Sequence, residues 1–310
     1  MPTLAIDFGG TQSRAALISK DGVILRRQRL LSRVDDPLPV VLDRLIALGK
    51  SVLDGESIDS IGVAAPGPLD SRHGIILHAE TLPGWRNVPL AAIIQEAFGN
   101  VPTFIQNDAN LAAVAEYRLG VGKGADPLIY MTISTGIGGG AVIGGKLFSG
   151  WSGLAIEPGH IRLTLANGLH YRLEELASGT AIGFWARRRL AESTQPSQLR
   201  TLTMETIDGR AVGLAAKAGD KLALDIIRQA GEYLGLGLVT MLHLFSPEVI
   251  VFGGSVTQLG NLFFDPARRI IKENAIDPAF FPPDLIRISG FADDVCLLGA
   301  ALYAQSQAGI

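Results

Sequence analysis

Thr3-Leu4-Ala5-Ile6-Asp7-Phe8-Gly9-Gly10-Thr11 decides how this chain is read. Thr3 to Phe8 is apolar enough for a buried strand, and the glycine pair after it can turn without a Cβ in the way. Ser13 to Ser19 reads as a second strand, Asp21-Gly22 as a hairpin turn and Val23 to Leu30 as a third strand. Backbone N–H groups of such a turn can cradle phosphate oxygens, Thr11 adds a hydroxyl, and Asp7 at the strand end can hold magnesium through water. Taken alone, the segment also reads as a hairpin with a capping aspartate.

The same theme returns farther along. Leu128 to Ser134 reads as a strand, Thr135 to Gly140 as a glycine turn and Ala141 to Ile143 as a continuing strand. Between the two copies lie a helix at Pro39 to Leu53, a strand at Ser60 to Ala65 ending in Pro66-Gly67-Pro68, and a helix at Leu90 to Phe98. A strand at Thr103 to Gln106 and a helix at Ala109 to Leu119 follow. Beyond the second copy come helices at Leu173 to Glu192 and Lys221 to Phe245. A strand at Val249 to Phe252 ends at Gly253-Gly254-Ser255, and the last pair is a strand at Ile286 to Ser289 and a helix at Val295 to Gln305. Two α/β units, each with a glycine turn after its first strand, imply a cleft. The break is expected near Gly120 to Pro127, where glycines and a proline interrupt the helix.

Composition narrows the function. Lys and Arg number 27 against 30 Asp and Glu in 310 residues, a net charge of −3, which leaves no basic footprint for nucleic acid or an anionic membrane. The 37 glycines are well above the usual share of about 7% and gather at strand ends rather than in a linker. One cysteine, Cys296, excludes an internal disulfide and a multi-cysteine zinc cage. The most apolar stretch, Leu234 to Gly254, is broken by His243, Ser246, Pro247 and Glu248, so no membrane span is expected. With no secretion signal at the amino end, a cytoplasmic protein is expected.

The candidate chemistry lies in short motifs. Gly140 to Lys146 imitates a Walker A loop until Leu147 takes the hydroxyl position, and Ala141 spoils a dinucleotide fingerprint. Asn107-Asp108, between a strand and a helix, reads as a helix cap or as a carboxylate able to accept a hydroxyl proton in phosphoryl transfer. Glu157-Pro158-Gly159-His160 sets an acid and a base three residues apart. Glu174-Glu175 and Arg187-Arg188-Arg189 read as solvated surface, and Trp85 as packing.

In one order these motifs are no longer generic. Asp-Phe-Gly-Gly-Thr, Pro66-Gly67, Leu-Pro-Gly-Trp at 82–85, Asn107-Asp108-Ala109-Asn110, Ser134 to Gly140, Glu157 to His160, Glu174 with Ala177-Ser178-Gly179-Thr180, and Gly253-Gly254-Ser255 together resemble the ROK family of repressors, open reading frames and sugar kinases, its bacterial glucokinases above all. The resemblance implies an α/β, two-domain actin-like (RNase H-like) ATPase fold with the nucleotide and sugar in a cleft between domains. It implies a small domain of residues 1–120 plus a C-terminal helix at 291–310, and a large domain of 121–290. Gly9, Gly10 and Thr11 would form the first phosphate loop, with Asp7 near a water-mediated Mg2+. Thr135, Gly136 and Gly138 would form the second loop, and Gly253, Gly254 and Ser255 would line the adenosine pocket. Asp108 matches the catalytic base; Gly67, Asn107, Glu157, His160 and Glu174 match sugar-contacting residues.

The implied reaction is ATP- and Mg2+-dependent phosphorylation of a hexose at O6, with glucose first. N-acetylmannosamine or N-acetylglucosamine kinase is the alternative, and a non-catalytic sugar-sensing regulator is the alternative of another class. The resemblance also implies a homodimer; the net charge, the phosphate-loop strand beginning at Leu4 and the broken apolar stretch lead us to expect no nucleic acid or membrane partner. Gln12 stands where the family often has lysine, and Thr81 where glucokinases often have asparagine. The plain departure is Leu165 to Arg172: the family's zinc-binding cysteines fall on Leu165, Asn167 and Arg172, none of which supplies a thiolate, so no zinc is expected.

Overall fold

The computed structural model describes every residue except Glu80. β1 (Thr3–Phe8), β2 (Gln12–Ile18) and β3 (Ile24–Leu31) form an antiparallel meander, followed by α1 (Leu38–Leu53) and β4 (Ser60–Ala65). β5 (Leu69–Asp70), β6 (Ile75–Ala79) and β7 (Leu82–Val88) make a small separate sheet. The chain then runs through α2 (Leu90–Ala97), β8 (Thr103–Asn107) and α3 (Asp108–Arg118). The first main sheet has the order β3-β2-β1-β4-β8, with β4 parallel to both β1 and β8. Every residue of β1 and β4 is buried, as central strands covered on both faces must be. Val41, Leu45, Leu48 and Val52 of α1 join that core, and Trp85 packs on Phe8 with ring centroids 4.8 Å apart.

The second half opens with β9 (Leu128–Ile133), β10 (Ile137–Ile143) and β11 (Lys146–Leu147). A short ribbon of β12 (Arg162–Thr164) and β13 (His170–Arg172) precedes α4 (Glu174–Ala177), α5 (Gly179–Glu192), α6 (Gly209–Lys217) and α7 (Lys221–Phe245). β14 (Val249–Gly253), α8 (Asn261–Asn274), β15 (Ile286–Ile288) and α9 (Val295–Ala308) complete the order. The second main sheet runs β11-β10-β9-β14-β15. No helix among the described residues is long and apolar enough to cross a membrane.

Two compact units result. The first comprises Met1–Ala125, Gly140–Ile156 and Gly290–Ile310; the second comprises Asp126–Gly139 and Glu157–Ser289. Relative to the expected limits, the first unit runs on to Ala125 and takes in Gly140–Ile156. Its last segment is built in tightly. A Cβ on Gly62 of β4 would stand 2.0 Å from the Ala300 carbonyl oxygen, and one on Gly299 of α9 would stand 1.9 Å from that of Leu111 in α3. Only glycine lets these backbones approach so closely.

Two local readings are corrected, and one motif is placed. Ile137 to Gly140 is strand rather than turn, because the bend is confined to Ser134, Thr135 and Gly136. Leu173 to Glu192 is not one helix: Ser178 is extended, ends α4 and caps α5 by accepting the Ala181 N–H at 3.1 Å. The Leu-Pro-Gly-Trp segment is itself the start of β7.

Candidate active site

In the first unit, the polar groups collect where β1, β8 and α3 end or begin. The Gly9-Gly10-Thr11 turn is braced by Ser32, which donates its hydroxyl to the Gly9 carbonyl at 2.6 Å and its N–H to the Thr11 carbonyl at 2.9 Å. Among the described residues the amides of Gly10 and Thr11 find no acceptor, which leaves them available to an anion. Asp7 is 8% exposed. Its cross-strand neighbour Arg14 donates Nε and Nη2 to Asp7 Oδ2 at 3.0 and 2.6 Å, and Nη1 to the Asp293 carbonyl at 2.6 Å. Burial raises the Asp7 pKa, and the guanidinium offsets only part of that rise.

Asp108 is the first residue of α3. Asn107 caps the helix by accepting the Ala109 N–H at 3.0 Å, and Asp108 Oδ1 accepts the same N–H at 2.7 Å. Asp108 keeps contact with solvent, yet the protein packed about it and the Asp7 charge push its pKa up to about 6. The Cys296 thiol lies against the Asp108 carbonyl at 3.8 Å, and burial, reinforced by Asp7 and Asp108, holds it protonated. Gly67 joins this group, since a Cβ there would stand 3.3 Å from Asn107 Nδ2.

The second unit holds a cavity of about 770 Å³. Ser134, Thr135 and Ser255 line one side, the amino ends of α5 (Gly179, Thr180) and α6 (Gly209) another, and Arg187, Arg210 and Lys217 supply positive charge against Asp208. Ser134 and Ser255 hydroxyls are 3.4 Å apart. Gly254 is held at φ +87°, and a Cβ on it would stand 2.4 Å from the Ile133 carbonyl oxygen, so the β14 turn closes on β9 only through glycine. Two helix amino ends, two serines and net positive charge suit a nucleotide. Arg187, read from sequence as surface, instead lines this cavity and donates to the Ile207 carbonyl at 2.6 Å.

Glu157 and His160 occupy one 3-10 turn, with the His160 N–H donating to the Glu157 carbonyl at 3.1 Å, and both side chains are exposed. Glu174 opens α4 and pairs with Arg172 at 2.9 Å. Bonds from Arg172 also hold the Glu175 carboxyl below the ordinary carboxylate range. Within each unit, therefore, the residues singled out in the sequence do gather: Asp7, Gly9, Gly10, Thr11, Gly67, Asn107 and Asp108 in the first, and Thr135, Gly136, Glu174, Gly254 and Ser255 in the second. Gly138 lies inside β10 and Gly253 ends β14. Sequence reasoning missed Arg14, whose place opposite Asp7 follows from the β1–β2 hairpin register. It also missed the α6 wall of the cavity, for which the sequence offers only Asp208 as a cap signal.

No three His, Cys, Asp or Glu side chains among the described residues gather as a metal site. The ROK family profile matches residues 3–307. The chain is 31% identical to a glucokinase of Thermotoga maritima, over 99% of this chain and 98% of that one. It is 33% identical to an N-acetylmannosamine kinase of Shigella boydii serotype 18, over 99% of both. A ROK family glucokinase from Streptomyces griseus, solved in complex with glucose and AMPPNP, superposes with a TM-score of 0.81 at 30% identity, covering 99% of this chain and 100% of that one. Together with the two α/β units and their paired glycine turns, these matches establish that the chain belongs to the ROK family and has its actin-like two-domain ATPase fold.

Proposed function

We propose that this ROK-family sugar kinase transfers the γ-phosphoryl group of ATP to the O6 hydroxyl of a hexose, with glucose as the preferred acceptor. The observation that carries the reading is Asp108: a carboxylate fixed at a helix start, with a pKa of about 6. Such a group is ionised at neutral pH yet basic enough to take a hydroxyl proton as the oxygen attacks phosphorus. A regulator that only senses sugar has no use for it.

The remaining roles follow from the chemistry of each group. Gly67, Asn107, Glu157, His160 and Glu174 offer the amide, carboxylates and imidazole that a ring of hydroxyls requires, and an unpaired partner would be costly. The Gly9-Gly10-Thr11 turn, with Thr135, Gly136 and Gly138, holds phosphates through backbone and hydroxyl donors, while Gly253, Gly254 and Ser255 border the adenosine. Most of the acceleration then comes from positioning and from stabilising the transferred charge. Both Arg14 bonds fall on Oδ2 of Asp7, which leaves Oδ1 for a hydrated Mg2+ held through water rather than a protein cage. When bound, that ion would neutralise charge on the phosphate oxygens.

Glucokinase and N-acetylmannosamine kinase relatives share similar identity with this chain, so the acceptor is decided by assay. Glucose, N-acetylmannosamine and N-acetylglucosamine are each offered with ATP and Mg2+ in a coupled ADP-release assay, and the phosphorylated carbon is assigned by NMR. Turnover of glucose at O6 is expected. Strong turnover of an acetylated sugar without glucose turnover overturns the choice of acceptor; sugar binding without any turnover overturns the kinase.

A further inference from the structure

The β12–β13 ribbon joins two of the proposed sugar-contacting groups. His160 lies two residues before Arg162, and Glu174 two residues after Arg172. The strands pair Arg162 with Arg172, Leu163 with Tyr171 and Thr164 with His170, and the Leu173 N–H extends the ladder to the Ile161 carbonyl at 2.8 Å. The open end of the ribbon thus carries His160 on one strand and Glu174 on the other.

A ribbon of three residues a side is marginal alone and needs outside support. Leu173 is fully buried against Gly237 of α7, and Tyr171 meets Trp185 of α5 edge-on at 5.7 Å. Trp185 in turn donates its indole N–H to the Glu175 carbonyl at 2.9 Å. These contacts anchor the backbone. They do not orient Glu174, whose long side chain starts a helix of only four residues.

Arg172 does. Nη1 reaches Glu174 Oε1 at 2.9 Å, Nη2 reaches Glu175 Oε1 at 3.1 Å, and the Arg172 N–H donates to Glu175 Oε2 at 2.7 Å. Glu175 locks the guanidinium from below, and the guanidinium holds Glu174 by its remaining edge. The other Glu174 oxygen, Oε2, lies 3.1 Å from the place a Cβ on Gly136 would take, so the carboxylate stands between Arg172 and the glycine turn. A planar fork fixes two carboxylates in set directions, whereas a lysine ammonium is a rotatable point charge.

We infer that Arg172 is a positioning residue that sets Glu174 in its sugar-binding orientation at the open end of the ribbon, whose other strand carries His160. The inference rests on the sugar-kinase reading. It gives this chain a side-chain clamp at the base of the sugar loop, built from an ion-pair fork.

The test is steady-state kinetics on Arg172→Met and Arg172→Lys, with thermal melting of each. Arg172→Met raises the hexose KM about tenfold with kcat within about twofold and the ATP KM unchanged, the signature of lost ground-state positioning. Arg172→Lys, which retains charge, falls between wild type and Met, and serves alone if Met does not fold. Glu174→Gln raises the hexose KM, and adding Arg172→Met to it produces no further rise, because the two act as one. An unchanged hexose KM in both Arg172 variants overturns the role. So does a rise in hexose and ATP KM together with a fallen melting temperature, which marks a merely structural residue. Wild-type protein that phosphorylates no hexose refutes the kinase reading instead, and the same assay separates the two failures.

Discussion

Acidifying the assay titrates Asp108, and the position of the acid limb follows from its surroundings. A carboxyl at its ordinary 3.8 is still about 94% ionised at pH 5, whereas one at about 6 is only about one-eleventh ionised there. The base works in its ionised form, so activity is present above the pKa and lost as the pH falls through it. Hexose kcat/KM, which reports the free enzyme, should bend near pH 6 and stand roughly tenfold below its plateau at pH 5. The measurement is a pH–rate profile from pH 4.5 to 8.5 at saturating ATP and Mg2+, with melting curves at each pH to exclude unfolding. Asp108→Asn should lower kcat by about 10²–10⁴-fold, and its residual rate should lack the bend near pH 6. A profile flat to pH 4.5, or an Asp108→Asn protein that keeps both its rate and its bend, refutes the assignment.

Arg14→Met leaves the buried Asp7 carboxylate without its guanidinium; with side chains 26% and 11% exposed, a loss of about 2–3 kcal/mol and a melting temperature lower by several degrees are expected. Adding Asp7→Asn should restore part of that loss in the same melting assay. Gly299→Ala places a Cβ 1.9 Å from the Leu111 carbonyl oxygen, so chemical denaturation should show a loss of at least about 1–3 kcal/mol. Glu157→Ala should raise the hexose KM by about tenfold to a hundredfold with the ATP KM unchanged, in the range of one lost charge-assisted hydrogen bond.

The parts of this fold written in the sequence are those where periodicity and punctuation agree. Thr3–Phe8, Ser60–Ala65 and Lys221–Phe245 show the expected limits, because each apolar run stops at glycine, proline or a capping acid. Ile137 to Gly140 misled for a physical reason: glycine weakens a strand but does not forbid one, and neighbouring strands supply the ladder. Ser178 hid inside an apparently continuous helix because its capping role appears only once the backbone is extended there. In the site, Asp7, Asn107 and Asp108 stood out by their place at strand ends. Arg14 did not, since the worth of its guanidinium depends on which carboxylate the register brings opposite it. Nor did Arg172, since its hold on Glu174 and Glu175 appears only once the chain turns from β13 into α4. The cavity wall at Gly209–Lys217 is likewise tertiary, made when α6 meets α5 through two glycine-rich helix starts.

The seating of α9 bears on how the protein is made. β1, β4 and α3 emerge early from the ribosome, but the helix that fits over them through Gly62 and Gly299 is translated only after the whole of Asp126–Ser289. The nascent amino-terminal sheet therefore waits, with an apolar surface uncovered, while its neighbour is synthesised. Asp108, which rests on α9 through Cys296, is assembled among the last parts of the molecule.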